Sequence, residues 1–288
     1  MKVSGFTFIR NAILYDYPIE ESIRSILPLC DEVVVAVGKS EDQTLELIQA
    51  IDSHKIKIVE TEWDLSKRQG GQVLAEETNK ALSHVAPDSD WCFYIQGDEV
   101  VHEQYIETIR AELLRWKDHQ EVEGLLFKYL HFYGSYDYVG DSRKWYRREI
   151  RIIRNGLPIS SYRDAQGFRK ENNKLAVKEI DAYIYHYGWV KPPEQQTAKQ
   201  KHFHSLWHED EWIQKNIAEE SFDYTNIDSL KVFRGTHPQV MKNRIQRKNW
   251  EFTFDPTKKS FGLKNRFLYA LENLTGWRVG EYKNYWKL

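Results

Sequence analysis

Cysteine is scarce in this chain: Cys30 and Cys92 are the only two among 288 residues, and each sits in an apolar stretch. Isolated thiols in such surroundings read as buried core residues rather than a disulfide, which suits a reducing cytoplasm. No Cys/His spacing resembles a zinc site. Long hydrophobic runs are missing too, so no segment is expected to span a bilayer. The start, Met1-Lys2-Val3-Ser4-Gly5, lacks the pattern of a signal peptide. A cytoplasmic protein is the expectation. No Gly-x-Gly-x-x-Gly follows the first apolar run and no P-loop occurs, which disfavours a dinucleotide fold or a P-loop kinase. Repeats, low-complexity tracts and nucleic-acid-binding motifs are equally absent.

What is present is an ordinary globular composition, 41% hydrophobic and 29% charged, long enough for one large domain or a domain with an appendage. The net charge of −2 hides an asymmetry. Residues 231–288 carry 13 Lys/Arg against 4 Asp/Glu, or +9, so the remainder carries 28 against 39, or −11. Aromatics crowd the same basic tail, among them Trp250, Phe267, Trp277, Tyr282 and Trp286. Such a mixture suits the headgroup zone of an anionic membrane, peripheral at its inner face. Packing of those aromatics onto the rest of the chain is the alternative.

Strands and helices alternate along the first hundred residues. Val3–Ile9 reads as a strand ending in Arg10-Asn11. Pro18 opens a helix with Ile19, Ile23, Ile26 and Leu27 on one face. Val33–Val37 is an all-apolar second strand, followed by a turn in which Ser40 and Gln43 form a capping box for the helix carrying Leu45, Ile48 and Ile51. Ile56–Val59 is a third strand, and a helix through Leu74, Ala81 and Val85 leads to Asp90–Glu99. This order predicts a parallel α/β sheet with right-handed crossovers. A helix through Ile109 and Leu113 follows, then strands at 124–133, 150–154 and 182–189 that predict a mixed or antiparallel extension. The boundary is expected at Pro192-Pro193, giving a catalytic domain over 1–191 and a helical extension over 192–288 anchored by Trp207, Trp212 and Ile213.

The chain is organised around Asp90–Glu99. Trp91–Ile95 suits a strand buried on both faces. It breaks at Gly97 into the adjacent carboxylates Asp98 and Glu99. Ligands of open α/β sheets bind just beyond such strand ends, where an acidic pair is placed to hold a hard cation on a phosphate. A solvated acidic turn is the other reading. Lys39 and Lys67-Arg68, in loops after strands, are placed to meet a diphosphate. Arg147, Arg148, Arg151 and Arg154 cannot all face one ligand.

The order of these parts resembles the family 2 glycosyltransferases of the GT-A fold. The resemblance rests on Arg10-Asn11, Asp31-Glu32-Val33, Ser40-Glu41-Asp42-Gln43-Thr44, Asn79, and Asp90-Trp91 through Asp98-Glu99, and spans roughly residues 3–190. It implies a GT-A-type (Rossmann-like), mainly parallel sheet flanked by helices. It also implies a metal-dependent, inverting transfer of a sugar from a nucleotide-diphosphate sugar to a glycan or lipid-linked acceptor, as in polysaccharide or glycolipid synthesis. Phe8, Arg10, Asn11, Val37, Lys39, Asp42, Asn79, Gln96 and Gly97 would bind the donor. Asp98, Glu99 and His186 would hold Mn²⁺ or Mg²⁺. Asp164, or else Asp141, would be the general base. Three positions depart from the family: its base-contacting aspartate falls on Val37, the first aspartate of its metal motif on Gln96, and its arginine on Thr78. A degenerate domain that only binds glycan or scaffolds an assembly, and a nucleotidyltransferase, are the alternatives.

Overall fold

The structure is a computed structural model that describes residues 1–67, 69–207, 212 and 221–288. Four parallel strands form its N-terminal half in the order β3 (Ile56–Thr61), β2 (Glu32–Gly38), β1 (Val3–Ile9), β4 (Trp91–Tyr94). Successive side chains of a strand face opposite sides, and in β2 both sides are apolar. Val33, Val35 and Val37 join one core cluster with Ile19 and Ile23 of helix α1 (Ile19–Ile26). Val34 and Ala36 join another with Leu74 and Ala81 of helix α3 (Gln72–Ser83). A strand covered by helices on both faces needs an unbroken apolar run, which is why Val33–Val37 carries no polar residue. Each valine of this run contributes about 1.5–3 kcal/mol by leaving water.

Helix α2 (Thr44–Gln49) connects β2 to β3, but not through the expected capping box. Asp42 does the capping, accepting from Thr44 N at 3.1 Å and from Leu14 N at 2.7 Å. The Ser40 hydroxyl instead donates to the Gly38 carbonyl and accepts from Asn11 N, at 2.8 and 3.0 Å.

Beyond β4 come β5 (Glu99–Val101), helix α4 (Ile106–Trp116), β6 (Gly124–Tyr133), β7 (Ser135–Gly140) and β8 (Arg148–Arg154). The sheet becomes mixed here, as expected: β8 lies antiparallel to both β4 and β6. Arg154 finishes α4 by donating to the carbonyls of Trp116, Lys117, His119 and Val122 at 2.8–2.9 Å. Strands β9 (Ile159–Tyr162), β10 (Gly167–Lys170) and β11 (Asn173–Lys174) make a small separate sheet.

The long β12 (Ala176–Trp189) starts six residues before the strand expected from the sequence. It runs parallel to β6 and antiparallel to β5, with His186 opposite Glu99. Helix α5 (Pro193–Ser205) follows, then β13 (Leu230–Val232) on β7, helices α6 (Lys242–Gln246) and α7 (Leu263–Thr275), and β14 (Trp286–Lys287) on β12. Leu206 and Tyr285 are buried with Phe6 and Leu126, and Met241 with Val100 and Phe132. The chain after Pro192 thus shares its cores with the strands before it. Of the residues expected to matter in loops and anchors, Arg68 and Ile213 lie outside the described residues.

Candidate active site

A cleft of about 550 Å³ opens at the carboxyl ends of β1 and β4. Phe8 and Arg10 leave β1 into it, Gln96–Asp98 enter just after β4, and His186 and Trp189 come from β12. Asp164 and Gln166 reach it from the β9–β10 loop, and Lys199 and His202 from α5. A cavity of about 680 Å³ beside α1 and α6 is larger, but Arg244 within it is already spent on Asp16 and Glu21.

The two adjacent carboxylates part company. Glu99 is fully buried and takes a two-pronged ion pair from Arg151, with both N–O distances 2.7 Å. It also accepts from the Tyr129 hydroxyl at 2.7 Å and from Gln96 N at 3.1 Å. Both its oxygens are consumed inside the sheet, so Glu99 is not the metal ligand the sequence led us to expect. Asp98 faces the cleft. Burial alone would raise its carboxyl, but the Lys199 ammonium beside it outweighs that and holds it well below the usual carboxylate range. Lys199 Nζ lies 2.9 Å from Asp98 Oδ2 and donates to the Gly188 carbonyl at 2.9 Å.

His186 completes the centre, and its hydrogen bonds fix its tautomer. His131 Nε2 lies 2.8 Å from the Tyr146 carbonyl, which only accepts, so that nitrogen carries the proton. Burial pushes His131 well below its ordinary pKa, so the ring is neutral and its Nδ1 is an acceptor. His186 Nδ1 lies 3.2 Å away and donates to it. His186 is itself lowered by burial, in spite of Asp98, which leaves its Nε2 bare. That lone pair lies 3.7 Å from Asp98 Oδ1. A cation placed between these two acceptors could be held by both, beside the Lys199 ammonium that already sits on Asp98 Oδ2. Gly188 makes the approach possible, because a Cβ there would come within 2.7 Å of Asp98 Oδ2 and 2.8 Å of His186 Nε2.

These two donors fit a divalent ion whose remaining positions are taken by phosphate oxygens and water. Among the described residues no group of three or more His, Cys, Asp or Glu forms a self-sufficient cage. Among the described residues, Asp98 and His186 leave the rest of such a shell open to water or a substrate.

Asp164, across the cleft, is half-buried, and burial raises its carboxyl. It is flanked by Arg163 and Ala165 at φ 57° and 60°, left-handed conformations that non-glycine residues seldom hold outside constrained sites. Gln96 donates to the Ala165 carbonyl at 3.3 Å and so ties this loop to the Asp98 turn. Asp141 is elsewhere. It is bound by Lys259 and by the Tyr269 hydroxyl, at 2.5 and 2.6 Å, which removes it as a candidate base.

Several expected donor-binding residues turn out to be structural. Val37 is buried in a core cluster, where its side chain meets apolar neighbours rather than a ligand. Asp42 caps α2, and Asn79 clamps α3 to β9 by accepting from Ser161 N at 2.7 Å. Asn11, at φ 52°, accepts from Glu41 N at 2.8 Å. Lys39 is exposed, 3.7 Å from Glu62. Gly97 is narrow on its core side, where a Cβ would press Ile9 at 3.0 Å. Phe8, Arg10, Gln96, Gly97 and Asp98 do line the cleft, with Trp63 at 5.9 Å from Phe8 and 5.6 Å from the Arg10 guanidinium.

Sequence reasoning missed Lys199, His202, Trp63, His131 and Gly188. Trp63 and His131 stood out only as a lone tryptophan after a strand and a lone histidine inside one. Lys199 and His202 fall in a helix with no clear apolar stripe, because polar side chains such as Gln196 and Lys199 share its inward side with Phe203.

No protein-family model matches the chain, and no curated protein does. Solved structures do resemble it. One is Staphylococcus aureus TarS, with TM-score 0.44 and 17% identity over 70% of this chain and 39% of that one. A second is TarS 1–349 in complex with UDP, with TM-score 0.42 and 17% identity over 76% of this chain and 70% of that one. A third is glucosyl-3-phosphoglycerate synthase from Mycobacterium tuberculosis in complex with Mn²⁺, UDP and phosphoglyceric acid, with TM-score 0.30 and 18% identity over 45% of this chain and 43% of that one. At these identities the likeness is one of chain path and gives no residue a role.

Proposed function

We propose that this chain is a glycosyltransferase that moves a sugar from a nucleoside-diphosphate donor to a hydroxyl of a glycan or lipid-linked acceptor. One observation carries the reading: Asp98 and the bare Nε2 of His186 face one another at the end of β4, 3.7 Å apart. Those two residues would hold Mn²⁺ or Mg²⁺, which when bound neutralises the charge of a departing diphosphate. Phe8 and Trp63 offer aromatic surface on the β1 side for the nucleoside. Asp164 accepts the proton of the acceptor hydroxyl as its oxygen attacks the anomeric carbon and the bond from that carbon to the diphosphate oxygen breaks, inverting the centre. A carboxyl raised by burial is a stronger base than a solvated one, which suits that role.

Lys199 favours a second reading. Its ammonium already satisfies Asp98 Oδ2, as it would in a domain that binds glycan without turnover. Calorimetric titration of a panel of nucleoside diphosphates, with and without Mn²⁺, separates the two. The enzyme is expected to prefer one base, to require the metal, and to lose roughly 10²-fold or more in turnover in Asp98→Asn. Binding of none of the diphosphates, or full turnover by Asp98→Asn at limiting Mn²⁺, would falsify the transferase reading.

A further inference from the structure

Helix α7 packs against the arginine-rich loop after β7 with one side only. Tyr269 donates to Asp141 at 2.6 Å, and Glu272 accepts from Arg143 and Arg278 at 2.8 and 2.9 Å. At about 100° per residue these two side chains define the inner face. Leu263, Phe267, Ala270 and Leu274 fall within an arc of about 60° on the outer face, at the 4-3-4 spacing of a single stripe. Leu263 and Leu274 are each 86% exposed and Phe267 69%. Trp277, 64% exposed, follows directly after the helix ends at Gly276 in the left-handed conformation, φ 70°.

The charges on the helix are sorted as well. Lys264 and Arg266 are exposed and flank the stripe, one on each side. Glu272 is the only acid of α7 and is turned inward, as is Glu281 beyond it, held by Arg147. A second copy of this chain docking through the same stripe would bring cations to the seam with no acid of the helix to meet them. An anionic bilayer supplies both what the stripe needs and what its flanks need.

We propose that α7 and Trp277 form a docking face for an anionic lipid bilayer, with the helix lying in the interfacial plane and its apolar stripe toward the acyl chains. No helix among the described residues is long and apolar enough to cross a membrane, and the contact proposed for α7 is an interfacial one. The proposal holds whatever reaction the cleft performs.

Sedimentation of the full chain with phosphatidylglycerol–phosphatidylcholine vesicles tests it, with pure phosphatidylcholine vesicles alongside. Binding is expected to the anionic vesicles at low salt and to fade as salt screens the attraction. Lys264→Gln/Arg266→Gln should weaken it about thirtyfold, each cation near the surface counting for roughly a fivefold change. Phe267→Ser/Leu274→Ser should abolish it while leaving the melting temperature unchanged, because neither side chain is buried. The proposal is overturned by an absence of binding to anionic vesicles at low salt, or by undiminished binding of the Ser variant. A concentration-dependent dimer that the Ser variant dissolves, without vesicle binding by the unaltered chain, would also overturn it and give the face to a second copy.

Discussion

Carboxyl groups in this molecule are told apart by what surrounds them. Asp98 is held ionised by the cations around it, whereas Glu149, 3% exposed on β8, is pushed up to about 7 by burial against the opposing pull of Arg151. The folded state therefore binds the Glu149 proton more tightly than the unfolded chain does. The stability this supplies is complete below the unfolded value near 4.5 and is lost as pH rises through about 7. Glu149→Gln keeps the shape and an acceptor for Ile150 N while removing the titration. Unfolding free energies measured between about pH 5 and 8 should show the unaltered protein falling relative to the variant, by roughly 3 kcal/mol at most. A constant difference across that range would show that Glu149 does not titrate there. Fates of this kind are not written locally. Asp98 and Glu99 read as one acidic pair because the partners that separate them, Arg151 and Lys199, lie 52 and 101 residues away.

Elements were legible where both faces of a strand are apolar, or where one stripe of a helix is. Val33–Val37 and the Ile19/Ile23/Ile26 stripe stand in the structure as the sequence suggests, and the strand expected over Trp91–Ile95 is present over Trp91–Tyr94. Polar helices were not, and α5 shows why: Gln196, Lys199, Gln200 and His202 share its inward side with the single apolar Phe203, which leaves no apolar period to detect. The end of β12 was legible as a strand but not as a constraint. Gly188 has an ordinary backbone conformation there, and only the three-dimensional approach of Asp98 and His186 reserves the space of its missing side chain. Gly188→Ala should accordingly leave the strand folded, with a circular dichroism spectrum like that of the unaltered protein, yet weaken Mn²⁺ binding at least tenfold by calorimetry. Unchanged Mn²⁺ affinity would remove Asp98 and His186 as a joint site.

At the scale of the whole chain, the expected division at Pro192 follows a change of composition, and the structure puts essential packing on both sides of it. Leu206, Leu230, Met241 and Tyr285 are buried against residues of the first 191, and Lys199 carries one wall of the cleft. A chain ending at residue 191 should lose a single cooperative melting transition and bind a dye that reports exposed apolar surface. A sharp transition in that fragment, with nucleoside diphosphate binding intact, would show that the first part stands alone. The charge asymmetry was plain in the sequence. Its sorting was not, because it depends on which acids the half-buried arginines Arg143, Arg147 and Arg278 claim.

The loop Asp141–Arg147 answers to two masters. Asp141, Arg143 and Arg147 fasten it to Tyr269, Glu272 and Glu281 of the C-terminal arm. Between them, the Tyr146 carbonyl orients His131, and through it His186. The seven residues of this loop thus touch both α7 and the histidines beside Asp98. Thermodynamic reciprocity then leaves no one-way traffic: if a surface at α7 tightens the grip of the cleft by some factor, filling the cleft must tighten the grip on that surface by the same factor.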